Sequence, residues 1–345
     1  MDDESHQRDT YRRYKSGYMT QYAVTIDTEE EWDWDAGWPV RQHSLSNISG
    51  VPRFQELCSK HGAKTTWFTD WSVMNDGPSK DIMLDVASRD LVELGMHIHP
   101  WLTPPITTGD DYGARESFLA TYSDDVICQK LNSVYELFEK EGHHPTSFRG
   151  GRYSSGGAIH DFLQSKGFVA EASVVPFTTW PDDGAPDYRH RDLTPNRIAP
   201  KDGRKAMWEV PVTLAFTRKN FPGWAKRFEM FEHSPLRHLR PIGILQRLGV
   251  VKRVWLNFED TSAEDMLALL DVLETLNLPC ITLTVHSSSL QLGGNPYSRD
   301  ENSVKRIWET VDQVLKSLSS RANFEPATMT EIAEQLEAAH ESYRD

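Results

Sequence analysis

Short runs of β-branched and aromatic residues alternate along this chain with longer stretches whose apolar residues recur at helical spacing. That alternation limits the possible folds more than any other feature. Residues 22–26 (YAVTI), 64–68 (KTTWF), 92–98, 145–148, 168–175, 207–216, 253–258 and 281–285 (ITLTV) read as strands. Between them, 50–62 places Val51, Phe54, Leu57 and Cys58 on one helical face, and 81–88 reads as a second helix. Leu131, Val134, Tyr135 and Phe138 mark a third helix, and 158–166 a fourth that Gly167 stops. Late in the chain Val304, Ile307, Trp308, Val311, Val314, Leu315 and Leu318 form an apolar stripe. Thr261 with Glu264, and Thr328 with Glu331, have the spacing of capping boxes. The stretches 103–113 and 176–204 read as loops, and 217–249 as a basic, aromatic insertion. Repeated strand–helix units predict a parallel sheet, open or closed as a barrel. No repeat of fixed period is present.

Composition excludes some partners. The formal net charge of -14 repels a phosphate backbone and an anionic membrane surface. No run approaches the ~20 apolar residues of a membrane span. The first 16 residues are polar and charged, without a signal-peptide core, and a cytoplasmic location is expected. Cys58, Cys128 and Cys280 are too far apart for a metal knuckle or redox pair and read as buried free thiols. No glycine-rich phosphate loop follows an early strand, which weighs against nucleotide binding. The 11 Trp and 11 Tyr suit a cleft that stacks on sugar faces, although core packing accounts for most of them.

The chemistry is concentrated at strand ends. Asp27, the pair His97 and His99, Arg149, the pair Glu259 and Asp260, and His286 each end or follow an expected strand. In α/β folds those ends meet at one mouth. Asp27 abuts an apolar run; Glu29 and Glu30 are as well explained by a solvated acidic run, and Glu31 better so. His97 and His99, two apart on a strand, point the same way and can converge on one ion. One backbone-bonded and one surface histidine would be the plainer account, but the following Pro100-Trp101 at a strand end favours metal. Arg149 in SFRGGRY can fix a carboxylate or an oxyanion, whereas Arg152 reads as surface. His286 can protonate a leaving amine, and the Gly-Gly-Asn-Pro turn at 293–296 can shape a cleft.

Taken in order, TIDTEE, MHIHPW, SFRGGRY and TVHSSSL resemble the polysaccharide deacetylase family, whose domain is shared with rhizobial nodulation deacetylases. The likeness runs from about 22 to 336. It implies a single-domain, distorted (β/α) barrel over 21–340, with an extension over 1–20 and an insertion at about 217–250. It further implies one divalent metal, with zinc expected, and removal of an N-acyl group, acetyl in the first place, from a sugar or saccharide. Asp27 matches the family base, His97 the first metal histidine, Arg149 the turn arginine and His286 the general acid. Glu29 is taken as the metal acid and His99 as the second metal histidine. Trp32, Trp34, Trp101 and Tyr297 are expected to line a saccharide cleft. The chain departs from the family pattern at three places. Thr28 replaces a second Asp, Trp101 stands where the family has its second His, and Gly150-Gly151 replace a proline. These departures suggest a subgroup with its own His-x-His-Pro-Trp pattern. Three other readings remain: a glycosidase using Asp27 and Glu259, a non-catalytic saccharide-binding relative, and an amidase acting on a non-sugar.

Overall fold

Strand β1 (Thr20–Thr28) is buried along its whole length, as a strand covered on both faces must be. It sits inside a nine-stranded, almost wholly parallel sheet. The others are β2 (Thr65–Thr69), β3 (Val92–Ile98), β4 (Ser147–Gly150), β5 (Ala170–Glu171), β6 (Asn196–Ile198), β7 (Met207–Glu209), β10 (Cys280–His286) and β11 (Phe324–Pro326). The order is β10-β1-β2-β3-β4-β5-β7-β6, with β11 beside the start of β1 and β6 antiparallel at the far edge. The computed structural model describes residues 19–32, 34, 37–38, 43–107, 112–199, 203–235, 238 and 241–342. The extension expected over 1–20 therefore lies outside the described residues up to 18. So do 108–111 of the first loop and 236, 237, 239 and 240 of the insertion.

The sheet curls into a half-barrel that irregular backbone carries toward closure. Past β7, Val212 N donates to Val174 O (2.9 Å) and Leu256 N to Thr213 O (2.8 Å). Phe258 N then donates to Thr284 O and Thr284 N to Leu256 O, which returns the ring to β10. The expected strand over 207–216 is interrupted at Pro211, which has no N–H to give a ladder. Beyond it β8 (Leu214–Phe216) pairs antiparallel with β9 (Arg253–Trp255) as a separate two-stranded sheet. The strand expected over 168–175 keeps its ladder only at β5, and the loop expected over 176–204 contains β6.

Helices α1 (Val51–Lys60), α2 (Trp71–Asn75), α3 (Gly77–Ala87), α4 (Asp124–Lys140) and α5 (Gly157–Ser165) connect the early strands. The insertion folds as α6 (Phe221–His233) and α7 (Pro241–Arg247). After it come α8 (Ala263–Glu274), α9 (Glu301–Ser320) and α10 (Met329–Glu341). The apolar stripe of α9 buries Ile307, Val311, Val314, Leu315 and Leu318 in one cluster with Val24, Ile26, Leu283 and Val285 of the sheet. Thr328 and Glu331 form the expected reciprocal capping box on α10. The box expected at Thr261 does not form. Ser262 caps α8 instead, accepting from Asp265 N, because a Ser-x-x-Asp sits one residue further on. Cys58 and Cys280 are buried, but Cys128 is exposed, contrary to expectation. Among the described residues no helix is long and apolar enough to cross a membrane.

Candidate active site and metal centre

Register places the key residues together. Asp27, the penultimate residue of β1, pairs with His286 at the end of β10 and with Phe68 on β2. His97 on β3 pairs with Arg149 on β4. Arg149 is fully buried and gives Nη1 to Asp27 Oδ1 (2.7 Å), Nη2 to Thr25 Oγ1 (2.9 Å) and Nε to Ala172 O (3.0 Å). Burial would raise the Asp27 carboxyl, yet the Arg149 guanidinium, with His97 and His286, holds it below its usual value. Asp27 is thereby kept anionic with Oδ1 committed to Arg149.

Glu29, His97 and His99 are buried and bring three donor atoms together. His97 Nδ1 faces Arg149 O at 2.8 Å, and His99 Nδ1 faces Glu30 Oε1 at 2.9 Å. A carbonyl or carboxylate oxygen accepts, so both rings carry hydrogen on Nδ1 and turn an Nε2 lone pair inward. The two Nε2 atoms lie 3.2 Å apart; Glu29 Oε2 is 3.1 Å from that of His99 and 3.6 Å from that of His97. Facing lone pairs beside a carboxylate repel unless a proton or a cation lies among them. This is the donor set a divalent metal satisfies, with the outer nitrogens oriented as metal-bound imidazoles require. Burial opposes the cationic form of His99, but Glu30 and Glu29 push its pKa well up, so the set attracts positive charge.

Neighbouring side chains hold these three residues in place. Trp101, 1% exposed, stacks on His99 (4.1 Å between centroids, 24°) and donates Nε1 to Glu30 Oε1 (2.9 Å). Despite its burial, Glu30 is held down to about 2, chiefly by the charge of His99. Burial and the Glu30 anion drive Asp70 the other way, favouring its protonated acid. The loop after His99 is anchored by Lys130 of α4, fully buried, whose Nζ donates to Pro100 O (2.8 Å), Thr103 O (2.7 Å) and Pro105 O (2.8 Å). Gly151 permits the close packing, since a Cβ there would lie 2.6 Å from His99 Cδ2.

On the other side of Asp27 stands His286, its Nε2 3.9 Å from Asp27 Oδ2. Its Nδ1 is 2.9 Å from both oxygens of Glu259, whose carboxylate also accepts from Ser289 Oγ, Asn257 Nδ2 (3.1 Å) and the His286 backbone N–H (3.2 Å). Burial disfavours the imidazolium, but Glu259 and then Glu29 outweigh it and raise His286 to about 10.

Around these groups lies a cleft of about 340 Å³. Trp32, Trp34 and Tyr297 line it; Trp34 meets His286 (5.5 Å) and Tyr297 (5.7 Å) edge-on. Trp101 borders the cleft too, but its ring is stacked on His99 and its N–H is given to Glu30. Arg152, expected at the surface, is instead part of the cleft wall, with its guanidinium 4.1 Å from the Phe118 ring centre. Sequence reasoning missed Asp70, although it directly follows β2. It also missed that Glu259 serves His286, which depends on the isolated bridge between Asn257 and Thr284.

No family model matches the chain, and no curated protein sequence matches it. Solved structures do share its architecture. A candidate glycoside hydrolase/deacetylase from Parabacteroides distasonis aligns with TM-score 0.57 at 12% identity, over 95% of this chain and 73% of that one. A candidate polysaccharide deacetylase from Mycobacterium smegmatis gives 0.54 at 14% identity, over 94% and 93%. The 4-alpha-glucanotransferase of Thermococcus litoralis gives 0.53 at 9%, over 92% of this chain and 41% of that one. At these identities the likeness is one of fold. This chain is a single α/β domain whose curled parallel half-barrel matches the deacetylase-type barrels among them.

Proposed function

We propose that this chain is a metal-dependent hydrolase that removes an N-acyl group, acetyl in the first place, from a sugar or saccharide. One observation carries the reading. A buried three-donor set of Glu29, His97 and His99 shares one mouth with an Arg149-held carboxylate and a Glu259-held imidazole. Zinc fits the donors. Groups ~2.0–2.1 Å from a tetrahedral zinc lie about 3.3 Å apart, and these lie 3.1–3.6 Å apart. When bound, the ion would polarise the acyl carbonyl and lower the pKa of a water toward ~7.

The side chains then divide the proton work. Asp27, anionic and tied to Arg149 through Oδ1, accepts the proton of the attacking water at Oδ2. His286, with Nδ1 bonded to Glu259, carries its second proton on Nε2 and gives it to the leaving nitrogen. Water oxygen bonds to the acyl carbon, the C–N bond breaks, and a free amine and a carboxylic acid leave, the acid giving its remaining proton to solvent. The glycosidase reading requires Glu259 to face substrate. Its carboxylate is instead enclosed by His286, Ser289 and Asn257, and the residue is 1% exposed.

The test is acetate release from a panel of N-acetylated amino sugars by zinc-loaded protein, beside Asp27→Asn. The variant is expected to keep its metal and lose turnover by ~10³-fold, within the range that general acid–base groups contribute. Undiminished turnover in Asp27→Asn contradicts the assignment.

A further inference from the structure

A groove that receives the interior of a polymer is open at two ends; this cleft has a wall. From Trp34, against His286, ring contacts run to Trp32 (5.8 Å) and on to Trp38 (6.4 Å). Arg152 lies over Trp38 at 5.4 Å, and its chain neighbour Tyr153 meets Trp255 at 5.7 Å. The wall is held in place. Arg152 donates to Asp182 Oδ2 (2.5 Å) and Ser117 Oγ (2.6 Å), and Tyr153 stacks on Trp180 at 5.7 Å and 9°. The cleft volume, about 340 Å³, is at the small end of the ~300–1,000 Å³ usual for ligand pockets.

A second, independent observation concerns hydrogen bonding. The indole N–H groups of Trp32, Trp34, Trp38 and Trp255 are shielded from solvent and have no partner among the described residues. All four side chains line this cleft. A buried donor without a partner is destabilising, and four around one cleft suit a ligand rich in acceptor oxygens. The cationic side chain of the wall, Arg152, is already paired with Asp182, so among the described residues the wall itself offers no unpaired cation to a phosphate or a carboxylate.

Building on the hydrolase reading, we propose that the substrate is a neutral N-acylated sugar presented as a free unit or as a chain end, and not as the interior of a polymer. The cleft admits a terminal unit with its acyl group toward Glu29, His97 and His99, and the aromatic wall stops the chain there.

The test compares zinc-loaded protein on N-acetylated hexosamine monomers, their disaccharides and long N-acetylated oligomers of the same sugars. Acetate is counted per chain and its position mapped by mass spectrometry. Turnover of monomers or disaccharides, with at most one acetate per long chain and that from an end, is the expected result. Trp38→Ala, which breaches the wall, should then raise the share of interior acetates several-fold. Release of several acetates from chain interiors by the wild type overturns the proposal while leaving the hydrolase reading intact. Saturable quenching of tryptophan fluorescence by monomers, with no acetate from any substrate, supports the pocket and overturns the hydrolase reading. Neither binding nor release, with metal bound, overturns both.

Discussion

Asp27 and His286 lie 3.9 Å apart, and their partners make them opposites. Arg149 keeps the carboxyl anionic, and Glu259 keeps the imidazole charged, raising it to about 10. A general acid works below its pKa, so the Glu259 anion extends activity to higher pH. Glu259→Gln removes that charge and should move the alkaline limb of the kcat/KM profile down by about one pH unit or more. A limb that stays in place would show that Glu259 does not set the acid. Asp27, His97, His99, Arg149 and His286 were legible because each stands at the end of an apolar run. Their partners were not. Glu259 to His286 spans 27 positions and Glu30 to His99 spans 69, and only the folded chain brings them together. Trp101, at a position where the resemblance had suggested a histidine, has a structural role here, because its ring backs His99 and its N–H holds Glu30.

Individual elements carry chemistry outside the cleft as well. Glu171 on β5 and Glu209 on β7 are register partners, and both are buried. Arg191 and Asn196 bond to Glu209, but Glu171 Oε2 has no partner among the described residues, and burial with the neighbouring Glu209 raises Glu171 to about 8. Its unfolded value is ordinary, ~4.3. The folded state therefore binds the proton more tightly, and this group's contribution to stability is complete below ~4.3 and is lost as pH rises through about 8. Glu171→Gln should flatten the fall in Tm between pH 5 and pH 8.5 and leave the variant the more stable at the upper end. Parallel slopes in thermal melts would contradict the assignment. Strand positions were mostly legible from the sequence, whereas their ends were not. Pro211 breaks a strand that apolar content alone would continue, and the insertion expected over 217–250 contains two helices whose shallow burial leaves little apolar signal.

For the whole molecule, parallel strands curled into a half-barrel direct their C-terminal ends to one mouth, and the acidic, imidazole-rich site is a consequence of that topology. The overall class was legible because strand and helix periods alternate cleanly. The aromatic wall was not, because Trp38, Tyr153 and Trp255 belong to segments that meet only in the folded chain. Binding a metal to the folded state alone should also stabilise it, by about 2.7 kcal/mol at a hundredfold excess over Kd. The most direct test of the central claim is metal content per chain, measured by mass spectrometry on wild type, His97→Ala and His99→Ala after zinc is offered and the excess removed. The account predicts about one zinc per wild-type chain, bound through the three donors of Glu29, His97 and His99, and its loss in both variants. A wild type that takes up no zinc, cobalt or nickel, or variants that retain a full complement, would contradict it.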